Sequence, residues 1–426
     1  MTIVQKSQPK VDIESSNLEF NLAQSRIKYN YMFGVDEEFR GEFLSLVSGV
    51  ELDQESSSFK FMGRLEYYSE DKPTNDLYAS KFTLDEAFYN KKISSGQITL
   101  GKQLFSWGVF DEFSNFDRVN LKNLNRFVFD SGEAYRRSIT ALRMENYLGN
   151  WKFDSFIDFG IEEGIFPSEN SLWSGVDREN GRLRGADSEL ISSDLVKNVS
   201  SHFSKRNKPS YGLRSSYSGD GDISFTYLRA YTDSPTLSIS DTLRAQFLTN
   251  TIDLNGLNEG IDIKFYQEDV FGVDMASTLF GQLYKFEISY IPNSKALNEE
   301  LLLEDYPKLR ASVGGDFEID SLNSTLTWQY IHEEFLTSDE FLFDSKLSQA
   351  LLQFSKLTKQ DLLRFGLRSI LNLNDNSYYL SPFFDYEITD SDTIGASYYY
   401  FTGEDNSFFG YHRNHNFLSF NYKKLF

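Results

Sequence analysis

Apolar and polar residues alternate along nearly the whole chain. Trp151, Phe153, Ile157, Phe159 and Ile161 share one parity, and Lys152, Asp154, Asp158 and Glu162 the other. Tyr284, Phe286, Ile288 and Tyr290 alternate with Lys285, Glu287 and Ser289. Leu363, Phe365, Leu367 and Leu371 oppose Arg364, Gly366 and Arg368, and Phe59, Phe61, Leu65 and Tyr67 oppose Lys60, Arg64 and Glu66. A period of two sends successive side chains to opposite faces of an extended strand. From Asn17 onward the chain divides into such segments of about ten to fifteen residues, parted by turn residues. One helix is expected, over Ser188–Phe203, where Leu190, Ile191, Leu195, Val196 and Val199 fall at helical spacing behind Asp187 or Ser188 as a cap.

Alternation alone fits both a soluble sandwich and a transmembrane barrel. The connections favour the barrel. Taken alternately, tight turns fall on one side: Asp53–Ser56, Ile93–Ser95, Gly149–Asn150, Ser218–Gly221, Asp320–Ser321, Thr358–Lys359 and Thr389–Asp392. Long connections fall on the other: Ser69–Ala79, Ser106–Tyr135, Gly164–Pro209, Thr232–Asp241, Pro292–Pro307, Glu334–Ser345 and Gly403–Arg413. Short periplasmic turns against long outer loops are the asymmetry of outer-membrane barrels. The expected fold is all-β: a single transmembrane antiparallel up-and-down β-barrel of about 18 strands, within a range of roughly 16 to 20. Thr251–Gly281 is the least regular stretch, readable as two short strands, Ile261–Glu268 and Phe271–Leu279, or as one irregular passage. Residues 1–16 read as a flexible periplasmic extension, and 17–426 as the barrel with long outer loops at 106–135 and 164–209.

Composition agrees. Aromatic residues make up 16% of 426 residues, with 39 Phe and 25 Tyr, yet mean hydropathy is −0.43. Only every second residue of a barrel strand meets lipid, so both can hold. No run of about 18 apolar residues exists to form a membrane helix. Cysteine is absent, which removes disulfides and thiolate metal sites. The net charge of −21 argues against nucleic acid as a partner. Met1–Ser16 lacks an apolar signal core, so the expected outer-membrane location presumes a signal peptide already removed.

The last strand, Leu418–Phe426, places Leu418, Phe420, Tyr422 and Phe426 on one parity. It resembles the C-terminal strand of bacterial outer-membrane barrels, which the barrel assembly machinery reads. The resemblance implies that machinery as a partner, together with outer-membrane lipid and lipopolysaccharide. Lys424 departs from it, since an apolar residue usually stands third from the end; at the periplasmic interface it can snorkel. Leu418, Phe420 and Tyr422 are expected beside Tyr29–Phe33, closing the ring.

On the opposite parity, Arg64, Glu66, Arg143, Glu145, Asp154, Asp158, Lys285, Glu287, Arg310, Asp316, Arg364, Arg368 and Asp385 are expected to line a pore. They either set a transverse field or pair across strands to stabilise the wall. Leu100-Gly101-Lys102-Gln103 runs into Trp107-Gly108, Asp111 and Asp117-Arg118-Val119-Asn120. This segment resembles a pattern in porin-like proteobacterial outer-membrane barrels, Gly-(Arg/Lys)-Gln then Trp-Gly then Asp-x-x-Asn, related to alginate-export-type barrels. Leu121 stands where a Pro often follows. Trp107, Asp111, Asp117, Arg118, Asn120 and Arg126 are candidates for a loop that constricts the pore, or for one packed on the rim, with Trp107 at the outer interface and Gly101 admitting close approach of the loop.

No catalytic residue, metal site or cofactor is expected. His412 and His415 read as a solvated rim pair lacking a third ligand. His332, on the outward parity, has Ser324 nearby but no triad. The expected function is a porin-type channel passing small polar solutes through a mixed-charge lumen. The alternatives are an exporter or facilitator for an anionic polysaccharide or a hydrophobic ligand, and a structural or adhesive barrel acting through its outer loops.

Overall fold

The computed structural model describes residues 19–35, 39–71, 77–125, 135–160, 164–168, 171–177, 179–184, 196–197, 201–203, 208–232, 236–249, 261–339, 341, 345–358 and 362–426. The extension over residues 1–16 lies outside them.

Eighteen antiparallel strands form one sheet. They are β1 (Glu19–Gly34), β2 (Arg40–Gln54), β3 (Ser57–Asp71), β4 (Leu77–Ile93), β5 (Gly96–Gln103), β6 (Ile139–Leu148), β7 (Trp151–Asp158), β8 (Tyr211–Ser218), β9 (Asp222–Tyr231), β10 (Gln267–Leu279), β11 (Gln282–Leu297), β12 (Leu303–Ile319), β13 (Ser324–Phe335), β14 (Lys346–Thr358), β15 (Leu363–Asn372), β16 (Ser377–Glu387), β17 (Asp392–Thr402) and β18 (Phe417–Leu425). Each pairs with the next in sequence. The ring closes where β18 lies antiparallel to β1, with Tyr29 opposite Tyr422, Tyr31 opposite Phe420 and Phe33 opposite Leu418. Closure leaves no unpaired edge, which a strand in lipid requires.

Burial is inverted relative to a soluble sheet. On β7 the apolar Trp151, Phe153 and Ile157 are exposed while Asp154 and Asp158 are buried. On β3, Phe59, Phe61 and Leu65 are exposed and Arg64 is buried. An apolar face open to the outside and a charged face turned inward are stable only where the outside is hydrocarbon. Lys424 sits at the closing seam, its Nζ 3.2 Å from Asp392 and over the Phe426 ring.

The tight turns fall on one end. Among them is Phe280-Gly281, with both φ values positive (53° and 75°), the backbone of a two-residue hairpin turn. Asn or Asp usually stands where Phe280 does, so the turn signal is weak in sequence. This resolves the irregular stretch: Gln267–Leu279 is one continuous barrel strand, and Ile261–Lys264 belongs to a small extra sheet. The Pro292–Pro307 connection is also shorter than expected, because β11 and β12 run on to Leu297 and from Leu303.

The helix expected over Ser188–Phe203 is corrected in part. Most of that stretch lies outside the described residues. Val196 and Lys197 are helical, but Ser201–Phe203 is extended and pairs in parallel with Ile261–Ile263. A helix forms instead at Asp241–Leu248, α1, where the Ser240 hydroxyl accepts the Leu243 N–H at 3.3 Å.

Eighteen strands at sheet spacing, tilted as membrane barrels are, close a ring on the order of 35 Å between backbones. Wall side chains alone cannot fill that width. Strands β5 to β8 are the shortest run, 8 to 10 residues each. The longest connection, 159–210, and the connection 104–138 leave from this low part of the wall.

Candidate functional site: a loop across the barrel interior

The connection between β5 and β6 bonds to strands all round the ring, always on their polar, inward face. The Trp107 indole N–H donates to Asp154 Oδ2 on β7 at 3.0 Å. Arg118 pairs with Glu268 on β10. Asn115 Nδ2 donates to the Arg310 carbonyl on β12 at 3.1 Å, and Gln329 Nε2 on β13 donates to the Phe113 carbonyl at 2.9 Å. Arg368 on β15 pairs with Glu112 at 2.6 Å, and Arg137 with Glu66 on β3 at 2.7 Å. A segment that meets β3, β7, β10, β12, β13 and β15 from within crosses the interior.

Glu287, on the inner face of β11, is its main anchor. The carboxylate accepts the backbone N–H of Val109 (2.7 Å), Phe110 (3.3 Å) and Asn115 (2.5 Å), and the Ser114 hydroxyl at 2.9 Å. Short-range order holds the loop's ends together. Asn120 accepts the Phe105 N–H through Oδ1 (2.9 Å) and donates Nδ2 to the Phe105 carbonyl (2.7 Å), so its amide replaces a strand partner. Asp117 is buried and takes Lys122 (2.6 Å), Arg136 Nε (2.8 Å) and Asn120 Nδ2 (2.8 Å). Leu121–Lys122 then pairs with Arg136–Arg137.

Three aromatic side chains of the loop press on wall glycines. A Cβ on Gly212 would meet the Trp107 ring at 2.9 Å, one on Gly272 the Phe116 ring at 2.6 Å, and one on Gly314 the Phe110 ring at 2.7 Å. The glycines stand on β8, β10 and β12, alternate strands of one stretch of wall. Gly212→Leu is expected to displace Trp107 without altering β8 pairing, because only side chains crowd that site. The readout is new trypsin cleavage at Lys122 and Arg136 in protein whose heat-modifiable gel mobility is unchanged; continued resistance would show that the Trp107 seat does not hold the loop.

The expected constriction residues therefore separate. Trp107, Asp117, Arg118 and Asn120 are buried in this structure, Asp111 projects into open space, and Arg126 lies outside the described residues. Trp107 does not sit at the outer interface: its ring packs edge-on against Phe156 inside the barrel. Gly101 does not receive the loop either. A Cβ there would strike the backbone of β4 at Ala87 and Phe88, and its φ of 129° marks a strand irregularity. Sequence reading missed the wall glycines and the role of Glu287, whose partners are about 170 residues distant in sequence.

The thirteen inward charges are mostly paired with one another or with neighbours. Arg64 holds Asp85 through two bonds of 2.9 and 2.6 Å, Arg143 holds Asp154 (2.6 Å) and Glu145 (3.2 Å), and Lys285 holds Asp316 (2.7 Å). Arg364 meets Asp385 at 2.6 Å, Arg310 approaches Glu333 at 3.9 Å, and Asp158 accepts the Gly160 N–H at 2.8 Å.

In the second insertion, the described residues 171–184 reach β3, β17, β18 and the loop between β17 and β18. Glu70 accepts the Ser171 hydroxyl (2.7 Å) and the Leu172 N–H (2.9 Å). Trp173 is buried among Phe39, Phe401, Phe417, His412 and His415. His412 and His415 are thus not a solvated rim pair. His412 is fully buried, their Nδ1 atoms lie 3.2 Å apart, and Arg184 comes within 3.5 Å of the other His412 nitrogen. Burial first, and then the positive charges of Arg184, His415 and Arg182, hold the His412 pKa well below its usual value. Burial also lowers Arg184, to about 10. His332 meets Ser348 (3.0 Å) rather than Ser324, in an outward polar ladder with Glu334 and Lys346.

No protein-family model matches the chain, and no curated protein matches it. Solved structures do. Acinetobacter baumannii OccAB1 is similar over 96% of this chain and 95% of its own, with a TM-score of 0.53 at 8% identity. Pseudomonas aeruginosa OccK9 (OpdG) gives 0.52 at 8% identity, over 96% of this chain and 98% of that one. P. aeruginosa OccK5 (OpdH) gives 0.51 at 8%, over 96% and 97%. These neighbours are outer-membrane porin barrels. The likeness is one of fold: a closed transmembrane barrel.

Proposed function

We propose that this chain is a bacterial outer-membrane channel through which small polar solutes pass passively, narrowed by the loop over residues 104–138. One observation carries the reading: inward charged side chains remain in water, Asp111 at 89% and Arg364 at 55% side-chain exposure. A dry, sealed interior would leave neither charge solvated. Of the other expected lining residues, Asp316 and Asp385 are partly open to that water, while Arg64, Glu145, Asp154, Asp158 and Glu287 are buried in the wall and beneath the loop. The shared fold of the porin barrels supports the same reading.

The surroundings follow from the faces. The exposed apolar band meets outer-membrane lipid and lipopolysaccharide, and the Leu418, Phe420, Tyr422 and Phe426 strand offers the barrel assembly machinery its signal. The segment from Gly101 to Asn120 supports kinship with the barrels that share its pattern, the alginate-export type among them. Purified protein in planar bilayers is expected to give stepwise ohmic conductance, and proteoliposomes to swell in small sugars. A barrel that is heat-modifiable, inserted and silent at every voltage would refute the proposal.

A further inference from the structure

The outward face of the wall carries a constellation that passage through the lumen does not use. At the outer end of β13 and the start of β14, Ser348 Oγ lies 3.0 Å from His332 Nδ1, and His332 Nε2 lies 3.4 Å from Glu334 Oε2. Serine, histidine and carboxylate in that order are the nucleophile, base and orienting group of acyl transfer. They meet because His332 and Ser348 are direct cross-strand partners, and Glu334 follows on the same face of β13. With Nε2–H donated to Glu334, Nδ1 keeps its lone pair for the Ser348 proton.

The surroundings suit the same chemistry. The Ser348 carbonyl accepts the Leu373 N–H at 2.8 Å, and its N–H donates to Asn374 Oδ1. That second bond fixes the Asn374 amide beside the nucleophile, with Nδ2 as an N–H donor for an oxyanion. Ala311 lies opposite His332, and Ala350 is the next outward residue below Ser348, so small side chains leave room for a reacting group. His332 and Ser348 continue the lipid-facing parity of the exposed Tyr330 and Leu352, while Glu334 pairs with Lys346 at 2.7 Å. Apolar wall gives way to charge at this level, which is the depth of a lipid's ester groups.

We infer that Ser348, His332 and Glu334 form an esterase site on the outer surface of the barrel, with Asn374 as oxyanion donor and the carboxylic ester of an outer-leaflet lipid as substrate. This does not depend on the channel reading. Ser348 Oγ bonds to the ester carbonyl carbon as its proton passes to His332 Nδ1. The C–O bond to the lyso-lipid then breaks, and the leaving oxygen takes that proton. Water attacks the acyl-serine, giving a proton to His332 that returns to Ser348 Oγ as the fatty acid departs. The sum is ester plus water to acid plus alcohol.

The test uses purified barrel in detergent micelles with p-nitrophenyl butyrate, and in mixed micelles with phosphatidylethanolamine, reading nitrophenol and fatty-acid release. The wild type is expected to hydrolyse both, and a fluorophosphonate probe to label Ser348. Ser348→Ala should fall to the background rate and lose the label. His332→Asn should lower the rate at least about hundredfold. Asn374→Ala should lower kcat about hundredfold with KM little changed. Ser324→Ala, on the same strand as His332, should hydrolyse as the wild type does. Heat-modifiable mobility checks the folding of each variant. A folded wild type that hydrolyses neither substrate, or hydrolysis and labelling that survive Ser348→Ala, overturns the inference; bilayer conductance is untouched by either result. Wild-type kcat in Asn374→Ala overturns the oxyanion assignment.

Discussion

Replacing Glu287 with alanine is expected to raise the single-channel conductance severalfold while the barrel stays folded. The carboxylate is the point where the loop's backbone is gripped: three amide N–H groups and one hydroxyl converge on it. Hydrogen bonds to a charged group are worth about 1.5–3 kcal/mol each, and a buried donor left without a partner costs about 1–3 kcal/mol. Alanine removes the acceptor and leaves those donors facing a cavity. The stable response is for the segment around Val109–Asn115 to leave the wall and meet water, which widens the path. The strand ladder is untouched, since β11 keeps its pairing with β10 and β12. Glu287→Gln should fall between, because the amide oxygen still accepts but its NH2 group confronts N–H donors. Planar-bilayer conductance, read with heat-modifiable mobility as the folding control, decides the matter. Wild-type conductance in the alanine variant would mean that the aromatic contacts on Gly212, Gly272 and Gly314 hold the loop unaided.

The wall was readable from sequence because its signal is local. Alternation at Trp151–Asp158 or Tyr284–Tyr290 states which side chains face lipid, and turn residues such as Gly149-Asn150 state where the chain reverses. The closing pair of β1 and β18 followed from parity, and Tyr29, Tyr31 and Phe33 do lie opposite Tyr422, Phe420 and Leu418. The interior was less readable because its contacts are not local. Nothing near Glu287 in sequence announces that Val109 and Asn115 will bond to it. Gly212, Gly272 and Gly314 look like weak points in strands until Trp107, Phe116 and Phe110 are seen against them. His412 and His415 misled for a related reason. A polar pair in a loop suggests water, whereas Trp173, arriving from more than two hundred residues away, packs on both rings and His412 is fully buried. The Asn120 amide shows why the Gly101–Asn120 segment reads as a motif: it stitches the loop's exit to its return.

Acidification is expected to release the second insertion. His412 is buried against Trp173, Phe401 and Tyr411, with Arg184 and His415 at its two nitrogens and Arg182 and Asp177 nearby. The Nδ1 atoms of His412 and His415 share a contact of 3.2 Å, which needs one of them to be an acceptor and hence neutral. Protonating both would place two cations in contact beside Arg184. The folded-state pKa of His412 is depressed below its ordinary 6.5, by burial first and by these positive charges next. A depressed value means the undocked state binds the proton more tightly. Docking is therefore complete above about pH 6.5 and weakens progressively as the pH falls below it. Taking reconstituted protein from about pH 7.5 to about pH 5 should expose Trp173 to acrylamide quenching and raise conductance together. His412→Phe keeps the aromatic packing and removes the proton site, so it should stay docked and insensitive across that range. Quenching that grew as the pH rose, or that persisted unchanged in the phenylalanine variant, would place the titrating group elsewhere than at His412.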